Sequence, residues 1–202
     1  MAANEPSESY SKSELRGRIR ARRAERSAVE RQESGDSIAA HVMSIVAEHR
    51  SSSVACYFST AHEPTTSALM DQLWAADIEV LTPRVRATEL EWVQSTPTSD
   101  YTSGSFGIRE VVGGEVLPLS KVNLVFLPAL AVSAAGARLG QGGGFYDRAL
   151  ARLEDRPLLI AVLYADEDGI DVPSEAHDVA VDAVATEQGV RWTTTGTKSR
   201  SK

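Results

Sequence analysis

The chain has 202 residues, 42% of them apolar and 24% charged, with a formal net charge of −7. That apolar share sustains one folded domain, the charged share is too small for a disordered chain, and the acidic balance excludes nucleic-acid binding over the whole surface. A single cysteine, Cys56, excludes a disulfide framework and any multi-cysteine metal site, and no run approaches the roughly 20 apolar residues of a membrane span. The polar start, MAANEPSESYSKSE, has no signal-peptide core, so a cytoplasmic protein with no membrane partner is expected.

Residues 1–9 and 195–202 carry no apolar pattern and are expected to be disordered tails around a single α/β domain over 10–194. Residues 12–31 hold eight basic side chains against three acidic ones, leaving 13 basic and 25 acidic for the rest, so a basic arm adjoins an acidic body. The arm is rich in Arg, Ala and Glu and reads as a helix. Ser27 followed by Glu30 fits a capping box, and a second helix starts there. Val29, Ile38, Val42, Ile45 and Val46 give that helix its buried face, and residues 51–53 end it. Residues 54–58 form a strand, 65–76 a helix with Leu69, Leu73 and Trp74 on one side, and 78–81 and 90–93 two further strands. A polar loop spans 96–105. Residues 122–127 are a strongly apolar strand ending at Pro128, 145–153 a short helix and 158–163 another buried strand. Two edge strands, 181–185 and 190–192, close the pattern. Strands alternating with helices, and strands that are apolar throughout, imply a largely parallel sheet covered on both faces.

The most informative segment is 136–148, GARLGQGGGFYDR, with glycines at 136, 140, 142, 143 and 144 between a buried strand and a helix. Glycine weakens regular structure, so four of them within five positions mark a place where backbone shape matters more than packing. Such a loop lets several N–H groups converge on an anion, and a phosphate loop is the sharp reading; a flexible surface linker is the bland one. No Walker A ending follows, and Phe145 stands where a dinucleotide fingerprint needs glycine. Arg138 suits phosphate oxygens, Tyr146 offers a flat face and a hydroxyl, and Asp147 suits magnesium. A second acidic group, Glu175, His177, Asp178 and Asp182, precedes a strand, and Asp178 would complete a carboxylate pair with Asp147. Cys56, inside the first strand, reads as a buried core thiol.

Residues 138–148 resemble the signature of the 5-formyltetrahydrofolate cyclo-ligases, also called 5,10-methenyltetrahydrofolate synthetases. Further pieces follow in the family's order. Lys12 and Arg16 are similar to the basic pair of its first helix. Glu63 and Thr66 in HEPTT resemble its Glu-x-x-Thr segment, and Pro83-Arg84 its pair after the second strand. Phe106-Gly-Ile108 resembles its FGI stretch, and Glu175-x-His-Asp178 with Asp182 and Thr186 its C-terminal signature. Where the family often places proline after a glutamate, this chain runs Arg109-Glu110-Val111.

The resemblance implies a three-layer α/β/α sandwich and an ATP- and magnesium-dependent ligase that converts 5-formyltetrahydrofolate to 5,10-methenyltetrahydrofolate. It implies ATP contacts from Lys12, Arg16, Arg138, Leu139, Gly140, Gln141, Gly142, Gly143, Gly144, Phe145 and Tyr146, with Arg138 and Tyr146 catalytic. It implies substrate contacts from Thr60, Glu63, Phe106 and Tyr146, and magnesium held by Asp147 and Asp178. A monomer acting on small molecules, with no nucleic-acid partner, is expected. Two other readings compete: a sugar-phosphate isomerase-like α/β enzyme that needs no ATP, and a non-catalytic nucleotide- or nucleic-acid-binding module working through the basic arm.

Overall fold

Two reciprocal capping boxes set the start of the chain in a computed structural model that describes residues 10–104, 107–175 and 177–196. Ser11 Oγ accepts from Glu14 N–H at 3.3 Å while the Glu14 carboxylate accepts from Ser11 N–H at 2.9 Å, opening α1 (Lys12–Glu25). Ser27 and Glu30 repeat the arrangement for α2 (Ala28–Glu48), as their spacing predicts. Helix α2 stops before residue 51 because Arg50 turns left-handed (φ 49°). The Ser51 N–H then returns to Val46 O at 3.0 Å and the Arg50 N–H to Ala47 O at 3.1 Å, a Schellman closure.

Seven strands form the main sheet in the order β11-β10-β9-β6-β1-β2-β3. They are β1 (Ser53–Ala55), β2 (Glu79–Arg86), β3 (Glu89–Ser95), β6 (Leu124–Pro128), β9 (Leu158–Val162), β10 (Ala183–Thr186) and β11 (Gly189–Trp192). The five inner strands run parallel, and β3 and β11 join antiparallel at the two edges. Strand β10 is therefore interior rather than an edge. Pro83 and Arg84 lie within β2 rather than after it, since β2 continues beyond its last pair with β1, Ala55↔Leu81, and the open flank tolerates proline.

Alternate side chains divide the core. Val54, Cys56, Leu124, Phe126, Ile160 and Val162 face α2 and α3 (Ser67–Ala75), while Ala55, Val125, Leu127, Leu159 and Ala161 face the layer holding α4 (Phe145–Leu150). This is the α/β/α sandwich. A third, smaller cluster packs Leu15 and Ile19 of α1 on Leu130, Ala131, Leu139 and Val172. Ile38, Val42, Ile45 and Val46 are buried as expected, but Val29 is 64% exposed, because burial along α2 begins only at Ser34 and Gly35.

Two small hairpins lie outside the main sheet: β4 (Tyr101–Ser103) with β5 (Arg109–Val111), inside and after the expected polar loop, and β7 (Ala131–Val132) with β8 (Arg138–Leu139). Thr195 Oγ1 donates to Ala135 O at 2.9 Å and the Gly196 N–H to Thr193 Oγ1 at 3.1 Å, so the first two residues assigned to the C-terminal tail are tied to the body. Residues 1–9 and 197–202 lie outside the described residues. No helix among the described residues is long and apolar enough to cross a membrane.

Gly35 lets α2 approach the segment before α3 closely. A Cβ built there would lie 2.2 Å from Thr65 Cγ2 and 2.5 Å from Thr65 O. Helix propensity favours alanine, yet the clash involves backbone and cannot be relieved by a rotamer. Gly35→Ala is expected to destabilise the fold by about 1–3 kcal/mol, read by thermal or urea denaturation; an unchanged or raised midpoint would contradict this packing.

Candidate active site

Strands β1 and β6 are neighbours, but the chain leaves β1 toward β2 on one side and β6 toward β9 on the other. At such a switch point the crossovers diverge and open a crevice beyond the carboxyl ends of the strands. A cavity of about 1350 Å³ lies there. Tyr57, Phe58, Thr60 and Glu63 enter it after β1, Pro128 and the glycine loop after β6, and Lys12, Arg16 and Arg20 from α1. Of the candidate site residues, Lys12, Arg16, Thr60, Glu63, Arg138, Asp147, Asp178 and the whole run 139–146 line this one cavity. Phe106 lies outside the described residues.

The glycine loop hangs from the β7–β8 hairpin, closed by the Leu130 N–H donating to Leu139 O at 2.7 Å. Gly142 (φ 104°) and Gly144 (φ 64°) occupy backbone conformations that side chains resist, and Gly144 caps α4. Arg16 lies across the loop, with its guanidinium carbon 3.6 Å from where a Cβ of Gly142 would stand, and its Nε donates to Gly140 O at 2.9 Å. Arg20 donates to Gln141 Oε1 at 2.8 Å, and Arg148 to Gly143 O at 3.0 Å. The basic arm therefore turns Lys12 and Arg16, both half-buried, and the exposed Arg20 toward the glycine loop and the cavity.

Five cationic side chains (Lys12, Arg16, Arg20, Arg138 and Arg148) and five acidic ones (Glu63, Glu110, Asp147, Glu175 and Asp178) line the cavity. Arg138, with a side chain only 3% exposed, donates from Nη2 to Asp147 Oδ1 at 2.9 Å and from Nη1 to Pro128 O at 3.3 Å; its Nε has no partner among the described residues. Lys12 Nζ sits 2.7 Å from Asp178 Oδ2 and 2.9 Å from Glu175 Oε1. Burial works to raise the Asp178 carboxyl, but hydrogen bonds from Lys12 and the Glu175 N–H, with the Lys12 charge, hold it below the usual range. Burial works to lower Lys12, and bonds to the same two carboxylates raise it above its usual value. Asp147 Oδ1 also accepts from the Val179 N–H at 3.3 Å, which sets Asp147 beside the residue that follows Asp178. Asp182 stands apart from this group. It is buried at the amino-terminal ends of β9 and β10, accepts from the Leu159 N–H at 2.9 Å and pairs with Arg156.

The other half of the cavity is aromatic and apolar, with Tyr57, Phe58, Leu90, Ile108 and Tyr146. Buried Glu63 closes its own turn, accepting from the Thr60 N–H at 2.8 Å. Burial, with the Glu63 charge, pushes the Tyr57 and Tyr146 phenols well above their usual range, so both remain neutral hydroxyls. Thr66 is structural: its Oγ1 donates to Tyr57 O at 2.7 Å. Sequence reasoning missed Tyr57, counted as strand interior, and Glu110, on a hairpin strand too short to show periodicity. Arg20 and Arg148 carried only a general signal, the one as part of the charged arm and the other as part of the loop.

At its C-terminal end α1 is fixed by a buried ion pair. Arg23 donates from Nε and Nη2 to the two Glu167 oxygens, both at 2.7 Å, and from Nη2 to Ala129 O at 2.6 Å, while Glu167 accepts from the Tyr164 N–H at 3.1 Å. Burial works against the Arg23 charge, but Glu167 outweighs it and keeps the guanidinium ionised.

Together these features define an α/β/α protein with a ligand cavity at its sheet switch point, rimmed by a glycine loop and inward-facing cations. A profile of the 5-formyltetrahydrofolate cyclo-ligase family matches residues 8–187. The 5-formyltetrahydrofolate cyclo-ligase of Escherichia coli K12 is 31% identical over 175 residues, covering 83% of this chain and 96% of that protein. Its namesake from Haemophilus influenzae is 29% identical over 172 residues, covering 82% and 92%. The NMR structure of Aquifex aeolicus 5,10-methenyltetrahydrofolate synthetase matches with a TM-score of 0.79 at 30% identity, covering 91% of this chain and 93% of that one. The chain belongs to the 5-formyltetrahydrofolate cyclo-ligase family and is an enzyme of the ligase class.

Two predictions follow the geometry. The Asp178 carboxyl ionises below the usual range, so its share of stability is complete above about pH 4 and is lost as pH falls through the depressed value. Lys12 is raised, so its share persists until alkaline pH passes that raised value. The stability gap between wild type and Asp178→Asn, about 0.5–1 kcal/mol at neutral pH, is expected to vanish in acid; a gap that persists unchanged near pH 2 would refute the pairing. Arg23→Met strands Glu167 in the interior and is expected to cost about 3–5 kcal/mol, measured by denaturant titration.

Proposed function

We propose that the enzyme converts 5-formyltetrahydrofolate to 5,10-methenyltetrahydrofolate with cleavage of ATP to ADP and phosphate. The triphosphate lies along the glycine loop, and the folate lies against the Glu63 and Tyr146 side. The formyl oxygen attacks the γ-phosphorus as the bond to ADP breaks. N10 then attacks the activated formyl carbon and gives up its proton, and the carbon–oxygen bond breaks to release phosphate as the ring closes. What supports the reading is one observation: a single cavity joins the glycine loop and the cations Lys12, Arg16 and Arg138 to an aromatic, acid-bearing wall.

A formyl amide oxygen is a weak nucleophile, so alignment and charge neutralisation carry the catalysis. Arg138 stabilises charge on the transferred group, and Lys12 and Arg16 hold the phosphates. Tyr146, a neutral hydroxyl with its ring edge toward Trp92 at 6.1 Å between centroids, donates a hydrogen bond and flanks the pterin. Asp147 and Asp178 suit a magnesium ion: they sit on adjoining segments of the cavity wall, and Asp147 Oδ2 accepts no hydrogen bond among the described residues. Magnesium takes one or two carboxylates with phosphate oxygens, and there it would neutralise charge between the transferred and leaving phosphates.

The purified chain mixed with ATP, magnesium and 5-formyltetrahydrofolate is expected to raise the methenyl absorbance and release ADP; folded protein that does neither overturns the assignment. Arg138→Met is expected to lower kcat by about 10²–10³-fold. Asp147→Asn is expected to raise the magnesium concentration for half-maximal rate at least about tenfold, and a wild-type magnesium response in that variant would remove Asp147 from the metal site.

A further inference from the structure

We propose that the phosphate-binding cations and the metal-binding carboxylates of this site are each other's counterions, and that a metal-chelated nucleoside triphosphate binds by exchanging those pairs. The inference rests on the reading above and goes beyond it to how metal and nucleotide binding are linked. Two of the cations that reading assigns to phosphate are each bonded to a carboxylate it assigns to magnesium: Lys12 Nζ to Asp178 Oδ2 at 2.7 Å, and Arg138 Nη2 to Asp147 Oδ1 at 2.9 Å. All four side chains are less than one-fifth exposed, so neither pair is replaced by water at little cost. The lining as a whole balances, with five cations against five carboxylates.

A triphosphate that arrives without metal draws Lys12 and Arg138 away and leaves two carboxylates unpaired against its own negative charge. A divalent cation that arrives alone takes the carboxylates and leaves two cations unpaired. Arriving together they satisfy all four groups. Metal and nucleotide therefore assist each other's binding on the protein, in addition to their chelation in solution, and the coupling is reciprocal. The same pairing makes a counterintuitive prediction: deleting a metal-site carboxylate strengthens binding of the metal-free nucleotide.

The test is calorimetric titration of the full chain with a non-hydrolysable ATP analogue, in EDTA and in magnesium. Asp178→Asn is expected to tighten binding of the metal-free analogue by about fivefold, the scale of one partly exposed ion pair, and to narrow the gap between the two conditions. In a Lys12→Met background the same substitution is expected to bring a clearly smaller gain, because the cation it would release is gone and only the relief of like-charge repulsion remains. Asp147→Asn, alone and with Arg138→Met, repeats the cycle at the other pair and carries the test if Asp178→Asn does not fold. The proposal is overturned if the folded carboxylate variants bind the metal-free analogue no tighter than wild type. It is equally overturned if the gain survives undiminished in Lys12→Met, since that is a general field effect. A wild-type chain that binds the analogue in neither condition overturns the underlying reading, and the exchange with it.

Discussion

Helix α1 carries three of the five cations that line the cavity, yet its apolar contact with the body is small, chiefly Leu15 and Ile19 on the β7–β8 hairpin and its surroundings. What holds its distal end is the Arg23–Glu167 pair, in which a fully buried guanidinium meets both carboxylate oxygens and the carbonyl of Ala129. Ala129 directly follows Pro128, whose carbonyl accepts from Arg138. One interior ion pair therefore braces the helix that delivers Lys12 and Arg16 and the strand end against which Arg138 rests. Such a pair contributes little net stability over an apolar substitute, but removing one partner is severe, and that asymmetry favours one docking geometry over many. Lys12 and Arg23 are eleven residues apart, about 16 Å along a helix, so the arm is gripped at both ends.

Much of the framework was legible. The capping box at Ser27 is local, so sequence spacing reports it directly, and the all-apolar strands 124–128 and 158–162 fit a sheet covered on both faces better than a half-exposed one. The glycine loop and its Arg138 and Asp147 neighbours were legible because they are contiguous. What was not legible depends on tertiary context. Val29 has the right spacing for a core position but lies in the part of α2 that precedes the first contact with the rest of the fold. Strands β4, β5, β7 and β8 have only two or three residues, too few for a period to register. Asp182 shares a short acidic run with Asp178, yet one carboxylate lines the cavity and the other is tied to the amino-terminal ends of β9 and β10. The partners of Lys12 and Arg23, 166 and 144 residues distant, leave no local trace at all.

The division of the cavity follows from the same topology. Segments leaving β6 and the arm bring the glycine loop and positive charge, whereas those leaving β1 and the β4–β5 hairpin bring rings and two buried carboxylates, Glu63 and Glu110. A wall of cations, several of them already paired with carboxylates, faces a wall of rings with two carboxylates of its own, and that asymmetry gives the space a direction. A ligand with phosphates has one favourable end, and a heterocycle bearing N–H groups has the other. The two tyrosines between these ends stay uncharged, so they add hydrogen bonding without disturbing the balance.

The lone cysteine sits one residue before Tyr57, just past the end of β1 rather than inside a strand as its sequence position suggests, where that strand opens toward the cavity. Fully enclosed there, the Cys56 thiol is pushed up to about 12 by burial, so its reactive anion is negligible at neutral pH. An alkylating reagent can reach it only when the packing around the end of β1 opens. The protein thus contains a natural one-site chemical clock: adduct formation at this sulfur counts large openings of the core, and whatever slows it has tightened the heart of the fold.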